Sequence, residues 1–178
     1  MLLALTARVL CRVFSIAALV ASCGAPSVVS VLPAQARVEA DHAGPLRVTV
    51  DATSTHLPLA VAGAGVAYGD VDQALARAIE HALEPTAQEL ARRNAQKLGL
   101  AVELVEARAD YSRDRLVVRL AARATLRENA GNVYLAQTHA HSSASAVVPA
   151  ERGAPVVLDC ADSIAHQLSG WLGGMDLR

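Results

Sequence analysis

From Arg115 to Arg127 the chain alternates with period two. Leu116, Val118, Leu120, Ala122, Ala124 and Leu126 fall on one face; Arg115, Val117, Arg119, Ala121, Arg123, Thr125 and Arg127 fall on the other. Successive strand side chains point to opposite faces, so the pattern predicts a strand with one buried face. Glu128-Asn129-Ala130-Gly131-Asn132 follows as a hairpin turn, with Asn and Gly able to take positive φ. Val133 to Val148 returns as a further strand. Tyr134, Ala136, Thr138, Ala140 and Ser142 share one face, and Val133, Leu135, Gln137, His139 and His141 the other. Its later half is small and polar, as at a sheet edge.

Upstream, Leu100 to Tyr111 predicts a partner strand. Val102 and Leu104 share one face while Val105, Ala107, Ala109 and Tyr111 share the other, which allows a bulge near Glu106. Ser112-Arg113-Asp114 reads as a short turn. Leu46 to Ala52 also alternates, with Val48, Val50 and Ala52 opposite Arg47, Thr49 and Asp51. His56 to Val61 continues it irregularly, and Pro58 discourages a central position there. Gly63, Gly65 and Gly69 mark a loop.

Two stretches switch to helical spacing. The first is Val71, Leu75, Ile79, Ala82 and Leu83, continued by Ala87, Leu90, Ala91 and Leu98. Asp70 with Gln73 forms a capping-box-like start, Pro85 is expected to interrupt or kink the helix, and Gly99 to stop it. The second is Val157, Cys160, Ala161, Ile164, Leu168, Trp171 and Leu172, ended by Gly173-Gly174. Trp171 is expected to pack against the sheet. The order is β-α-β-β-β-α. It predicts an α+β fold: a four-stranded, mainly antiparallel sheet with two helices packed on one face.

The N-terminus has a different character. Arg8 and Arg12 precede the mostly apolar run Val13 to Ala21, which is too short to span a bilayer but suits a signal-peptide core. The run ends in Leu19-Val20-Ala21-Ser22-Cys23, which resembles a bacterial lipobox. The resemblance implies a lipoprotein: cleavage after Ser22 and a thioether-linked diacylglycerol on Cys23. Ala34-Gln35-Ala36 offers a rival A-x-A site that would release a soluble protein beginning at Arg37. On the lipoprotein reading, 1–22 is the signal peptide, 23–45 a flexible tether holding Pro26, Pro33 and Pro45, and 46–178 one α+β domain.

Composition narrows the chemistry. Hydrophobic residues make up 53% but aromatics only 3%, so the core is built from small and aliphatic side chains. Losing Arg8 and Arg12 reduces 16 basic residues to 14 against 17 acidic, a net charge of −3 with no excess for nucleic acid. Of three cysteines, Cys11 leaves with the signal and Cys23 takes lipid, so Cys160 has no disulfide partner. Cys160 lies on the apolar stripe of its helix and reads as a small core residue.

Few motifs carry catalysis. There is no G-x-S-x-G, P-loop or H-E-x-x-H. Gly63-Ala64-Gly65 places Tyr68 where a dinucleotide loop needs its third glycine. Asp159, Ser163 and His166 share a helix, a poor frame for a triad. His139 and His141 point the same way on a strand and are weak candidates for a metal, which needs a third ligand. Arg115, Arg119, Arg123 and Arg127 form a ladder on an outer sheet face. It reads as a solvated face or as a docking surface for an acidic partner or anionic glycolipid. An enzyme is not expected, and no cofactor is implied.

The β-α-β-β-β-α order with the lipobox resembles small envelope lipoproteins, such as LptE-like proteins and the auxiliary lipoproteins of ABC-type lipid transporters. That resemblance covers about Leu46 to Leu172 as topology. It implies a non-catalytic, lipid-anchored accessory facing the periplasm, at the outer membrane. Its partners would be the membrane, through the N-terminal lipid, and an envelope protein complex, possible roles being lipid or lipopolysaccharide transport or outer-membrane assembly. The alternative is a soluble periplasmic ligand- or metal-binding domain.

Overall fold

The computed structural model describes residues 25–32, 46–92, 97–128 and 133–175. Among these residues the architecture is α+β, with two helices and one mixed sheet. Its strands are β1 (Ser27–Ser30), β2 (Leu46–Asp51), β3 (Leu59–Ala62), β4 (Val66–Gly69), β5 (Leu98–Ser112), β6 (Arg115–Glu128) and β7 (Val133–Val147). The helices are α1 (Val71–Arg92) and α2 (Ala154–Gly173), with a 3₁₀ turn at Ala150–Arg152 before α2.

Among the described residues the sheet has seven strands rather than the four expected. The order is β1-β4-β3-β5-β6-β7, and β2 also pairs with β5. The three long strands match the sequence pattern. β5, β6 and β7 run antiparallel, and Leu116, Val118, Leu120, Ala122, Ala124 and Leu126 are all buried. Complete burial of each leucine is worth about 1.5–3 kcal/mol, so this one strand face organises the core. The register of β5 against β6 shifts between Leu104 and Glu106, so Val105 is the extra residue of a bulge. Leu104 before it and Ala109 after it both reach the core.

The additional strands are short. β2 and β3 lie end to end along one side of β5, both parallel to it: Val48 opposes Leu100, and Val61 opposes Ala109. The irregular continuation after β2 thus becomes a separate strand. Gly63-Ala64-Gly65 is the turn of the antiparallel β3–β4 hairpin, with Gly63 at φ 84°. A Cβ at Gly63 would meet the Tyr111 carbonyl oxygen. β1 joins parallel to β4, Ser27 opposite Val66. The backbone N–H of Ser27 donates to Gly65 O at 2.9 Å and that of Val31 to Gly69 O at 3.3 Å. Val31 and Leu32 then enter the core at 4% and 8% exposure. β1 lies inside the stretch 23–45 read as a tether. Residues 33–45 fall outside the described residues, as does the whole signal segment with Cys23.

α1 continues past Pro85, as the resumed apolar stripe at Ala87 and Leu90 suggests, and departs from expectation only beyond Arg92. Pro85 lies inside it without ending it. Pro85 and His81, whose carbonyl loses the Pro85 bond partner, are both exposed to water, while Leu83 and Leu90 are buried on either side. Burial of the apolar face therefore holds both halves in one helix. α1 is assigned only to Arg92; Leu98 and Gly99 belong to β5 rather than to the helix end. Asp70 precedes α1 with φ 60°, and its carboxylate accepts a 2.6 Å hydrogen bond from the Ser30 hydroxyl.

α2 packs on β6, β7 and α1, and α1 packs on β2 and α2. Small residues are buried in both layers: Ala122, Ala124 and Ala140 on the sheet and Ala161 and Ala165 on α2. Trp171 is half-buried against the same core. At the start of α2, buried Tyr68 donates a 2.6 Å hydrogen bond to Ala150 O. Burial, and secondarily the nearby Glu151 carboxylate, pushes its phenol up from the ordinary value. Gly153 closes this junction, for a Cβ there would meet the Tyr68 hydroxyl and the Leu116 side chain.

Candidate functional site

The open face of β5–β6–β7 carries the arginine ladder. Alternation sends the leucines of β6 inward and therefore Arg115, Arg119, Arg123 and Arg127 outward, where all four are exposed. Register then decides what each meets. Glu103, Arg123 and His139 stand opposite one another across three strands. Arg123 Nη1 donates to Glu103 Oε2 at 3.3 Å, and Arg123 Nε donates to His139 Nε2 at 3.3 Å. Ser54 Oγ extends the row by donating to Glu103 Oε1 at 2.8 Å.

Arg119 faces Arg108, a like-charge cross-strand pair that is unfavourable alone. Asp110 relieves it: its Oδ2 lies 3.0 Å from Arg108 Nε and 4.0 Å from Arg119 Nη1. The two central rungs of the ladder are thus met by carboxylates from β5. The face is one of alternating charge, and each exposed pair is worth at most about 1 kcal/mol.

His139 and His141 do share this face, as the spacing predicts. His139 Nε2 takes the Arg123 N–H, which sets a guanidinium cation where a metal ion would bind. Among the described residues no three His, Cys, Asp or Glu groups come together to hold a metal ion. The backbone of His141 has another role. Gln167 on α2 donates from Nε2 to His141 O at 2.9 Å, and His141 N donates to Gln167 Oε1 at 3.4 Å. One side-chain amide therefore satisfies both backbone groups of a residue in the edge strand β7.

The remaining candidates resolve simply. Cys160 is buried, its Sγ 3.5 Å from Val118 O, and burial pushes its thiol up. Asp159, Ser163 and His166 are exposed on α2; His166 Nδ1 sits 2.7 Å from Asp162 O, and Gln167 Nε2 lies 3.4 Å from Ser163 Oγ. Exposed apolar side chains gather instead at the two ends of the long strands. Val133, Tyr134 and Leu135 stand at the start of β7, and Val147 at its end; Val28 lies on β1. Among the described residues no helix is long and apolar enough to cross a membrane.

No family model matches the sequence, and no curated protein matches it. Solved structures do. Protein XCC0632 from Xanthomonas campestris, of the family DUF330, is similar with a TM-score of 0.55 at 13% identity, over 82% of this chain and 94% of that one. A Caulobacter crescentus CB15 protein described as a candidate lipoprotein gives 0.42 at 14% identity, over 73% and 91%. The PelC dodecamer subunit from Paraburkholderia phytofirmans gives 0.43 at 12% identity, over 69% and 87%. The likeness to the Xanthomonas protein is one of fold: a two-helix α+β domain spanning nearly all of that chain.

Proposed function

We propose that this chain is a non-catalytic, lipid-anchored accessory protein of the bacterial cell envelope. It faces the periplasm at the outer membrane and serves a protein complex that moves lipid or lipopolysaccharide or assembles that membrane. Its partners are the bilayer, through lipid on Cys23, and that complex; nucleic acid is not among them. The observation that carries the reading is the position of β1. Ser27–Ser30 lies between the two cleavage sites that the sequence offers, after Cys23 and before Arg37. Cleavage after Ala36 would discard a paired strand together with buried Val31 and Leu32. Cleavage after Ser22 keeps all of it. The fold therefore favours the lipobox, and with it the anchored protein over the soluble periplasmic alternative.

The test is the intact mass and membrane fractionation of the exported protein beside Cys23→Ser. The wild type is expected to carry diacylglycerol and to sediment with membranes, and Cys23→Ser to go soluble or stay unprocessed. Maturation of both chains at Arg37 would overturn the reading. Crosslinking in cells would then identify the envelope partner.

A further inference from the structure

The position of β1 also orients the domain. We infer that the end of the sheet formed by the Gly63–Gly65 turn, the Ser112–Arg115 turn and the start of α2 rests on the lipid headgroups, with the β6–β7 hairpin end pointing away. This rests on lipidation of Cys23.

Covalent geometry supplies the first step. Ser27 is already paired in the sheet, and Cys23 is four residues before it. Four residues span at most about 14 Å. An anchored Cys23 thus holds Ser27 within that reach of the bilayer surface, too short a leash for a freely swinging domain. Ser27 is itself fixed to the β3–β4 turn through its N–H and hydroxyl, both donating to Gly65 O, at 2.9 and 3.3 Å. Gly63 in that turn packs on the Tyr111 carbonyl beside the β5–β6 turn. Gly153, at the start of α2, packs on Tyr68 and Leu116 at the same end.

Charge is compatible with the pose. The end presents Arg113, Arg115 and Arg152 against Asp114 and Glu151, all exposed, a balance of three to two in favour of anionic headgroups. Val28 and Val147, 61% and 69% exposed, flank it on the strands at the two sides of the sheet. Lying flat on the helical layer would instead press Glu84, Asp159 and Asp162 on the membrane, whereas the open face offers Arg108, Arg119, Arg123 and Arg127 beside Glu103, Glu106 and Asp110. Upright, the hairpin end stands farther from the membrane by the length of β6, about 40 Å from Arg115 to Arg127 at about 3.3 Å per residue.

The lipidated full chain provides its own background for the experiment. Cys23 is blocked as a thioether and Cys160 is buried, so only an introduced thiol takes a probe. Ser112→Cys, Ser143→Cys and Leu135→Cys carry a fluorophore at the near end, the middle and the far end of the long strands. Each is reconstituted in phosphatidylethanolamine–phosphatidylglycerol vesicles bearing a headgroup nitroxide, after circular dichroism has confirmed the fold. Fluorescence is expected to be strongly quenched at Ser112→Cys, less at Ser143→Cys and not at Leu135→Cys. Equal quenching at all three, or the reverse gradient, in protein whose mass shows the lipid would overturn the orientation and leave the lipoprotein reading standing. A mass without lipid would overturn both.

Discussion

Starting the chain at Arg37 instead of residue 23 deletes β1 with Val31 and Leu32, and the cost can be worked from their burial. Both side chains are nearly enclosed, at 4% and 8% exposure. Complete burial of such side chains is worth about 1.5–3 kcal/mol each. Because an extended reference chain exaggerates the area gained, the lower bound is the safer one, about 3 kcal/mol for the pair. Deletion also uncovers β4, whose Val66 and Tyr68 are now buried. Domain stabilities are about 5–15 kcal/mol in total, so the loss is a substantial share. With a urea m-value of about 1–3 kcal/mol/M, the unfolding midpoint should fall by at least about 1 M. The assay is urea unfolding followed by far-ultraviolet circular dichroism. It compares two unlipidated chains, one beginning at residue 23 with Cys23→Ser and one beginning at Arg37. Val31→Ala/Leu32→Ala in the longer chain should fall between them. Coincident midpoints and slopes would show that β1 is no part of the cooperative fold, and the argument from β1 to the lipobox would collapse.

Four further outcomes are expected. Tyr68→Phe should lower stability by about 1 kcal/mol, because the buried Ala150 carbonyl loses one of its two donors and keeps only the Gly153 N–H; an unchanged melting temperature would contradict that. Gly153→Ala should cost about 1–3 kcal/mol through overpacking against Tyr68 and Leu116, and Gly153→Ala/Tyr68→Ala should recover part of the packing strain in a double-mutant cycle. Cys160 and Tyr68 both have folded pKa values raised by burial. The unfolded chain therefore gives up these protons first, and stability should be full below the ordinary thiol value of 9.0 and decline as pH rises above it; the decline above pH 9 should shrink in Cys160→Ala. Gln167→Ala should cost about 1 kcal/mol and raise the aggregation rate, read by light scattering, since it bares the backbone of His141 on the β7 edge.

The long strands were legible because each buries one face and leaves the other wet, so period two appears in the residue types themselves. The bulge at Val105 could be read for the same reason: two apolar sets of opposite parity in one strand need an extra residue to share a core. β1, β3 and β4 escaped because four residues are too few to show a period and because β4 is buried at three consecutive positions, Val66, Ala67 and Tyr68. α1 ran past Pro85 because tertiary burial outweighs a lost bond on the wet side. The arginine ladder was placed correctly by alternation, but its balance was not, since Glu103 and Asp110 reach it only through the β5–β6 register. The Tyr68–Ala150 contact joins residues 82 positions apart; with three tyrosines in the chain, a Tyr between glycine-rich turns was the available hint.

The buried alanines of α2 and the sheet also limit how this sequence can change. Ala122, Ala124 and Ala140 on the sheet and Ala161 and Ala165 on α2 are buried in one core, and none of them offers more than a methyl group. Interiors are packed as densely as organic crystals, so volume there is shared property. A valine at Ala122 has no slack to occupy unless α2 gives up matter or lifts away, and lifting α2 would loosen Gln167 from the edge of β7 and Tyr68 from the turn at Ala150. Substitutions among these alanines should therefore be accepted in compensating pairs rather than singly, and the height of one helix above the sheet sets the tolerance of sites on opposite sides of the fold.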